Sequence, residues 1–241
     1  MTYCVAMCLA EGLVFVSDSR TNAGVDHIAV FRKLHVFGVE GERVIVLQSA
    51  GNLATSQSVI TLLRQRIERD EGRHLHNINT MFEVADLVGE TLREVLARYK
   101  DQDMDFSCSL LLGGQIGGGE SKLYNIYPQG NFIAATEDTP YFQIGESKYG
   151  KPILDRALDY HTSIEKALRC ALISFDSTIR SNLSVGMPLD LLVYSHYSLK
   201  LPTGHRLHED DDYWQMIHKQ WSEGLKVTLA GLPAPPIEYW R

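Results

Sequence analysis

Cysteine is scarce in this chain of 241 residues: there are four, at positions 4, 8, 108 and 170. They are too scattered for a disulfide-stapled scaffold, and no basic region leads into an apolar segment at the N-terminus, so reduced thiols in a soluble, cytoplasmic protein are expected. Cys4 and Cys8 would share one face of a strand. The pair lacks the tight Cys-x-x-Cys spacing of a zinc knuckle and has no second pair, which makes both small core residues. Cationic charge is also in short supply, with 23 Lys and Arg against 30 Asp and Glu for a formal charge of -7. No surplus is left to neutralise a phosphate backbone, which argues against nucleic-acid binding. Long hydrophobic runs are missing too: residues 189–194 are among the longest, far too short to span a bilayer. What remains is ordinary, 44% apolar content, enough for a real core in one large domain or two small ones.

Periodicity divides the chain into strands, two helices, strands, two helices and strands. Residues 2–9 and 13–17 read as a hairpin across Glu11-Gly12, followed by a loop over 21–29. Residues 31–37 and 43–49 form a second hairpin around the turn at 38–41. Helical spacing covers 53–70 and 81–99, the latter with Thr80 as N-cap. Strands are expected at 106–112, 122–127 and 132–134, helices at 148–158 and 164–179, and a last strand at 189–197. The glycine-rich stretch 113–119 lies between strands and lacks both a following helix and a Gly-Lys-Ser/Thr element, so it reads as a hairpin connection rather than a phosphate loop. This order suits an α+β four-layer αββα sandwich, two sheets face to face with helices outside. A domain over residues 1–197 is followed by a C-terminal extension, 198–241, read as a packing or assembly segment of the same domain with a helix over 213–223.

Thr2 stands directly before the first strand. A threonine freed by removal of Met1 carries a hydroxyl nucleophile and an amine base in one residue, one of the few ways to make a hydroxyl attack an amide near neutral pH. Taken singly it is weak evidence, because many chains begin Met-Thr. His205 and His208 beside the acidic run 209–212 could bind a divalent metal, but that run also suits the N-terminus of the following helix; no metal and no cofactor are expected. Ser195 and His196 are strand neighbours facing opposite sides and cannot simply pair.

The stretch Asp18-Ser19-Arg20-Thr21-Asn22-Ala23-Gly24, the segment Phe31-Arg32-Lys33-Leu34 and the run Ser49-Ala50-Gly51-Asn52-Leu53-Ala54 together resemble the Asp-Ser-Arg-x-x-x-Gly, lysine and Ala-Gly motifs of proteasome β-type subunits. Their order and spacing from Thr2 match as well. The details are most similar to the bacterial Anbu family, the ancestral β subunit, related to the peptidase HslV, and the resemblance runs from Thr2 to about Tyr197. It implies the N-terminal nucleophile hydrolase fold, maturation by loss of Met1 alone, and threonine peptidase activity on peptides or unfolded polypeptides. It also implies self-assembly into a ring or spiral homo-oligomer, with any ATPase unfoldase a separate partner.

By that resemblance Thr2 is the nucleophile, Lys33 supplies positive potential, Asp18 holds Lys33 in place, and the Gly51 N–H is the oxyanion donor. Thr21, Phe31, His35, Ser49 and Leu53 match positions lining the pocket for the residue before the cleaved bond. Two departures from the family pattern stand out. The Gly-Ser-Gly motif appears as Gly145-Glu146-Ser147, so the supporting serine is either displaced to Ser147 or replaced by Glu146. The Arg-Asp-x-x-Ser-x-Gly motif appears as residues 180–186 with Ser181 in place of the acid, while Ser184 and Gly186 remain. Two alternatives stay open: a dedicated amidase or transpeptidase on a small peptide-like substrate, and an inert self-assembling subunit.

Overall fold

The computed structural model describes residues 1–22, 28–70, 72–99 and 104–241. In chain order the elements are β1 (Tyr3–Leu9), β2 (Gly12–Asp18), β3 (Arg20–Asn22), β4 (Ile28–Val30), β5 (Leu34–Val39) and β6 (Arg43–Gly51), then helices α1 (Leu53–Arg69) and α2 (Met81–Ala97). There follow β7 (Cys108–Ile116), β8 (Lys122–Ile126), β9 (Phe132–Ala134) and β10 (Tyr141–Gly145), helices α3 (Lys151–Ala157) and α4 (Ile164–Ser181), β11 (Leu189–Ser195), β12 (His205–Leu207) and α5 (Asp212–Ala230). One antiparallel sheet runs in the order β10-β1-β2-β11-β12 and a second in the order β5-β6-β7-β8-β9, with β3 and β4 forming a separate short ribbon. Helices α1 and α2 cover the second sheet, and α4 covers β1 and β2 of the first with α3 beside it. The expected αββα sandwich is the observed architecture.

The layering explains why the central strands read as unbroken apolar runs rather than alternating ones. Along β6, Val44 and Val46 face the first sheet, where they meet Cys4, Ala6 and Phe15. Their neighbours Ile45 and Leu47 face the helices, packed with Val59, Leu63, Val84 and Val88. A strand with helices on one side and a sheet on the other has no solvated face to mark with polar residues. The first sheet follows the same rule: the Tyr3 ring lies 4.4 Å from that of Phe175 on α4, while Cys4, one residue on, joins the inter-sheet core. Cys4 and Cys8 are free thiols. Cys4 is buried in that core and Cys8 packs on it.

Several boundaries differ from the sequence-based expectation, each for a physical reason. Gly113 and Gly114 belong to β7 and not to a connection, because a side chain at 113 would put its Cβ 2.6 Å from Phe15 Cζ in the inter-sheet core. The strand expected from 31 begins at Leu34. The ribbon strands β3 and β4 occupy both ends of the segment read as a loop, whereas Ala23 and Gly24 of the quoted motif lie outside the described residues. Strand β10 went unpredicted, as did β12, which pairs with β11 through Leu189 and Leu207. Residues 198–208 therefore belong to the first compact unit, Met1–His208; the second is Glu209–Arg241. In that second unit Asp211 caps α5 by accepting from the amides of Tyr213 and Trp214 at 3.0 Å, which gives the acidic run a structural use. Among the described residues no group of three or more His, Cys, Asp or Glu is placed to hold a metal ion. No described helix is long and apolar enough to cross a membrane.

The Gly113–Phe15 contact carries a prediction. Gly113→Ala forces the Phe15 ring to move inside a packed core, and urea denaturation should show a loss of about 1–3 kcal/mol. Adding Phe15→Leu, which withdraws the ring tip, should recover part of that loss; strictly additive costs would mean that the two positions do not touch.

Candidate active site

Thr2 enters the site at the N-terminal end of β1, where β10 fixes it from one side. Tyr3 pairs with Gly145, and the Glu146 amide donates to the Thr2 carbonyl at 2.7 Å. Gly145 has φ +81°, and a Cβ there would sit 2.0 Å from the Thr2 carbonyl oxygen. Only glycine allows this approach. Across the sheet-to-sheet gap, Gly51 ends β6 with φ +115°, where a Cβ would lie 2.4 Å from the Ser107 carbonyl oxygen. Asn52 then caps α1, its Oδ1 accepting from the Thr55 amide at 3.1 Å. The strand thus turns into a helix with Gly51 at the corner.

Between these two elements lies a cavity of about 390 Å³ lined by Met1, Thr2, Lys33, Gly51 and Gly145. Thr21, Ser49 and Leu53 complete it, joined by Ala50 and Ser56. Lys33 is 4% exposed and Asp18 is fully buried. The Lys33 ammonium donates to Asp18 Oδ1 at 2.6 Å and to the Arg20 carbonyl at 2.7 Å. Asp18 also accepts from the Tyr3 amide at 3.1 Å and from the Gly186 amide at 3.4 Å. Burial pushes the Asp18 carboxyl above the ordinary aspartate range, while the Lys33 charge and hydrogen bond, and then the two amides, pull it back. The Lys33 carbonyl accepts from the Ser49 amide at 3.1 Å, so both ends of the lysine are tied.

Seven of the sequence-identified site residues, Thr2, Thr21, Lys33, Gly51, Ser49, Leu53 and, through Lys33, Asp18, meet at this one place. The other four do not line this cavity. Phe31 is 38% exposed and its amide donates to the Ser19 carbonyl at 2.8 Å; it does not line the cavity. His35 lines a separate cavity with Arg32 and Arg64, and Ser147 lines a third beside Tyr141, Lys151 and Asp155. Ser184 donates its amide to Asn182 Oδ1 at 2.9 Å.

That last bond leads to a residue the sequence reading passed over. Asn182 Nδ2 donates to Glu146 Oε2 at 3.0 Å, and Glu146 is 4% exposed. Of the two candidates at the altered Gly-Ser-Gly motif, Glu146 is therefore the one bonded to Thr2 through its backbone and buried with its carboxylate engaged. A closed circuit results. It runs from Thr2 through Glu146, Asn182 and the turn at 184–186 to Asp18, and back through the Tyr3 amide. The only hint in the sequence was the pair of departures themselves.

A threonine at the end of a central strand of an αββα sandwich, sharing a cavity with a buried lysine, defines the class: the fold is that of the N-terminal nucleophile hydrolases. The family model for the proteasome subunit matches residues 2–193, and the chain belongs to that family. Among solved structures it is similar to the helical assembly of the Anbu complex from Pseudomonas aeruginosa, at 64% identity and TM-score 0.95, covering 98% of this chain and 99% of that one. It is also similar to Anbu (ancestral beta-subunit) from Yersinia bercovieri, at 58% identity and TM-score 0.93 over 98% of this chain and 99% of that one. Anbu from Hyphomicrobium sp. strain MC1 matches at 44% identity and TM-score 0.92, covering 98% of this chain and 100% of that one. Comparison with curated proteins gave no match.

The buried ion pair makes a stability prediction with a definite sign. Lys33→Met leaves the Asp18 charge buried without its cation, at a cost of about 3–5 kcal/mol near neutral pH. In that variant the folded state favours protonated Asp18, so its folded pKa lies above the unfolded one and stability is regained as pH falls. Urea denaturation at about pH 7 and about pH 5 should show the gap to wild type narrowing at the lower pH; a gap that widens would refute the assignment.

Proposed function

We propose that this proteasome-family chain is a threonine peptidase subunit whose nucleophile is Thr2 once Met1 has been removed. The observation that carries the reading is the buried Lys33 ammonium, paired with Asp18 and lining the same cavity as Thr2. With Met1 attached, the Thr2 nitrogen is a peptide nitrogen and no base. Once it is free, the amine has a reference pKa of about 8 and can take the hydroxyl proton directly or through a water.

In this reading Thr2 Oγ attacks the substrate carbonyl, and the Gly51 N–H, at the N-terminus of α1, stabilises the oxyanion. Lys33 favours the unprotonated amine and the developing alkoxide. Collapse of the tetrahedral intermediate expels the amine product, which takes the proton from the Thr2 ammonium. Water then resolves the ester on Thr2. Glu146 and Asn182 act as positioning residues that hold the Thr2 backbone, and Thr21, Ser49 and Leu53 shape the pocket for the acyl side of the substrate.

Self-assembly belongs to the same proposal. A Pseudomonas aeruginosa relative is described as a helical assembly, and the second compact unit here leaves Val227, Leu229, Leu232, Ile237 and Trp240 more than half exposed. Apolar side chains at that density are an association surface.

Three measurements test the reading. Intact mass should show loss of Met1, and an epoxyketone or β-lactone should then add one equivalent to Thr2 and none to Thr2→Ala; a demethionylated protein that takes no adduct would refute the peptidase assignment. Glu146→Ala should slow labelling by on the order of 100-fold while leaving Met1 processing intact. Val227→Glu with Leu229→Glu should lower the particle mass seen by light scattering, and an unchanged mass would move the association surface elsewhere.

A further inference from the structure

The cavity that holds His35 lies within the first compact unit and apart from Thr2. Its volume is about 430 Å³, and its ionisable lining residues are Arg32, His35, Arg64, Asp190, His205 and Arg206. Asp190 and Arg206 are spent on each other, Nε to Oδ1 and Nη2 to Oδ2, both at 2.8 Å. Arg32 and Arg64 have no such compensation: among the described residues neither forms an ion pair or a hydrogen bond, and Arg64 has as its partner the Phe37 ring, 5.8 Å from the guanidinium carbon to the centroid. Two arginines without an ion-pair partner among the described residues therefore line one cavity, their donors open to solvent.

His35 lines the same cavity. Burial, and then the Arg64 charge, hold the His35 ring at about 4, with Arg32 adding to the effect and Asp190 opposing it. At neutral pH the ring is uncharged and offers one donor and one acceptor. Leu34, Val36 and Pro202 supply an apolar wall.

We propose that this cavity binds a phosphate group, free or carried as a monoester by a small molecule, held by Arg32 and Arg64. A dianion matches two guanidinium charges, each able to present two parallel N–H donors to its oxygens. The apolar wall takes the organic part of a monoester, and the neutral His35 ring adds a hydrogen bond to the bound group. Binding neutralises the field of Arg64, so the His35 ring becomes easier to protonate when the site is filled. Neither residue that holds the phosphate belongs to the Thr2 cavity, so this assignment stands or falls separately from the peptidase reading.

The test uses the full-length protein at constant ionic strength, titrated with inorganic phosphate and with phenyl phosphate, and followed by calorimetry and by histidine ring NMR. Saturable binding is expected, with one ring signal, the one lost in His35→Gln, moving its titration midpoint upward by about one pH unit or more. Arg32→Gln and Arg64→Gln should each weaken binding by about 10-fold or more without shifting the urea midpoint, since both side chains are exposed. Tighter binding of phenyl phosphate would assign the site to monoesters, and equal affinity would assign it to the free ion. The absence of saturable binding would overturn the proposal. So would affinity unchanged in the Arg32→Gln/Arg64→Gln double variant.

Discussion

The buried ion pair between Lys33 and Asp18 is the constraint on which the rest of the site depends. A carboxylate with no solvent exposure is costly unless its lone pairs are occupied, and here Lys33, the Tyr3 amide and the Gly186 amide occupy them. Those three donors come from three parts of the chain: the segment entering β5, the start of β1 and the loop before β11. Satisfying one charge therefore draws three elements to a single point. Thr2 is the residue next to one of them.

The same constraint explains why the site sits at the end of a central strand rather than on a loop. Strand β1 is buried on both faces, by the Tyr3–Phe175 contact towards α4 and by Cys4 towards the second sheet, and it is paired on both edges, with β10 and β2. A residue one position beyond such a strand inherits its rigidity, while its side chain is free to face a cavity. Gly145 and Gly51 then remove the two Cβ atoms that would collide with backbone carbonyls at the mouth. Precision in this site comes from strands and a helix end, the kind of support that holds a reacting group to a fraction of an ångström.

Most of the fold was legible because the layers impose strong patterns: unbroken apolar runs where strands are covered twice, and helical spacing where α1, α2 and α4 cover them. The misses share one cause, a dependence on partners distant in sequence. Strand β10 is five residues long and includes Gln143, whose Nε2 donates to the Tyr3 hydroxyl at 2.5 Å, so its polar residue looks like loop until β1 is placed beside it. The status of Gly113 depends on Phe15, and the cavity that His35 lines is built with Arg64 and Asp190, both distant in sequence. Phe31 shows the limit of motif reading most plainly. It stands two residues from Lys33 in the quoted motif, yet β5 begins only at Leu34, so strand alternation does not carry its side chain to the cavity.

The departures at 145–147 and 180–186 take on a different meaning once the two segments are seen in contact. Read along the chain they are two separate departures: a serine displaced to Ser147 or replaced by Glu146 in one motif, and Ser181 in place of the acid in the other. In space the two segments are joined, because Glu146 accepts from Asn182, the residue next to Ser181, at 3.0 Å. The Glu146 lone pairs are engaged from the facing loop, as a buried charge requires, and the circuit that returns to Asp18 stays closed. A buried network tolerates exchange of a donor for an acceptor when the partner changes with it, and fails when one member changes alone. The pairing of Glu146 with Asn182 thus ties the two altered segments to each other and, through the Glu146 amide, to the Thr2 backbone.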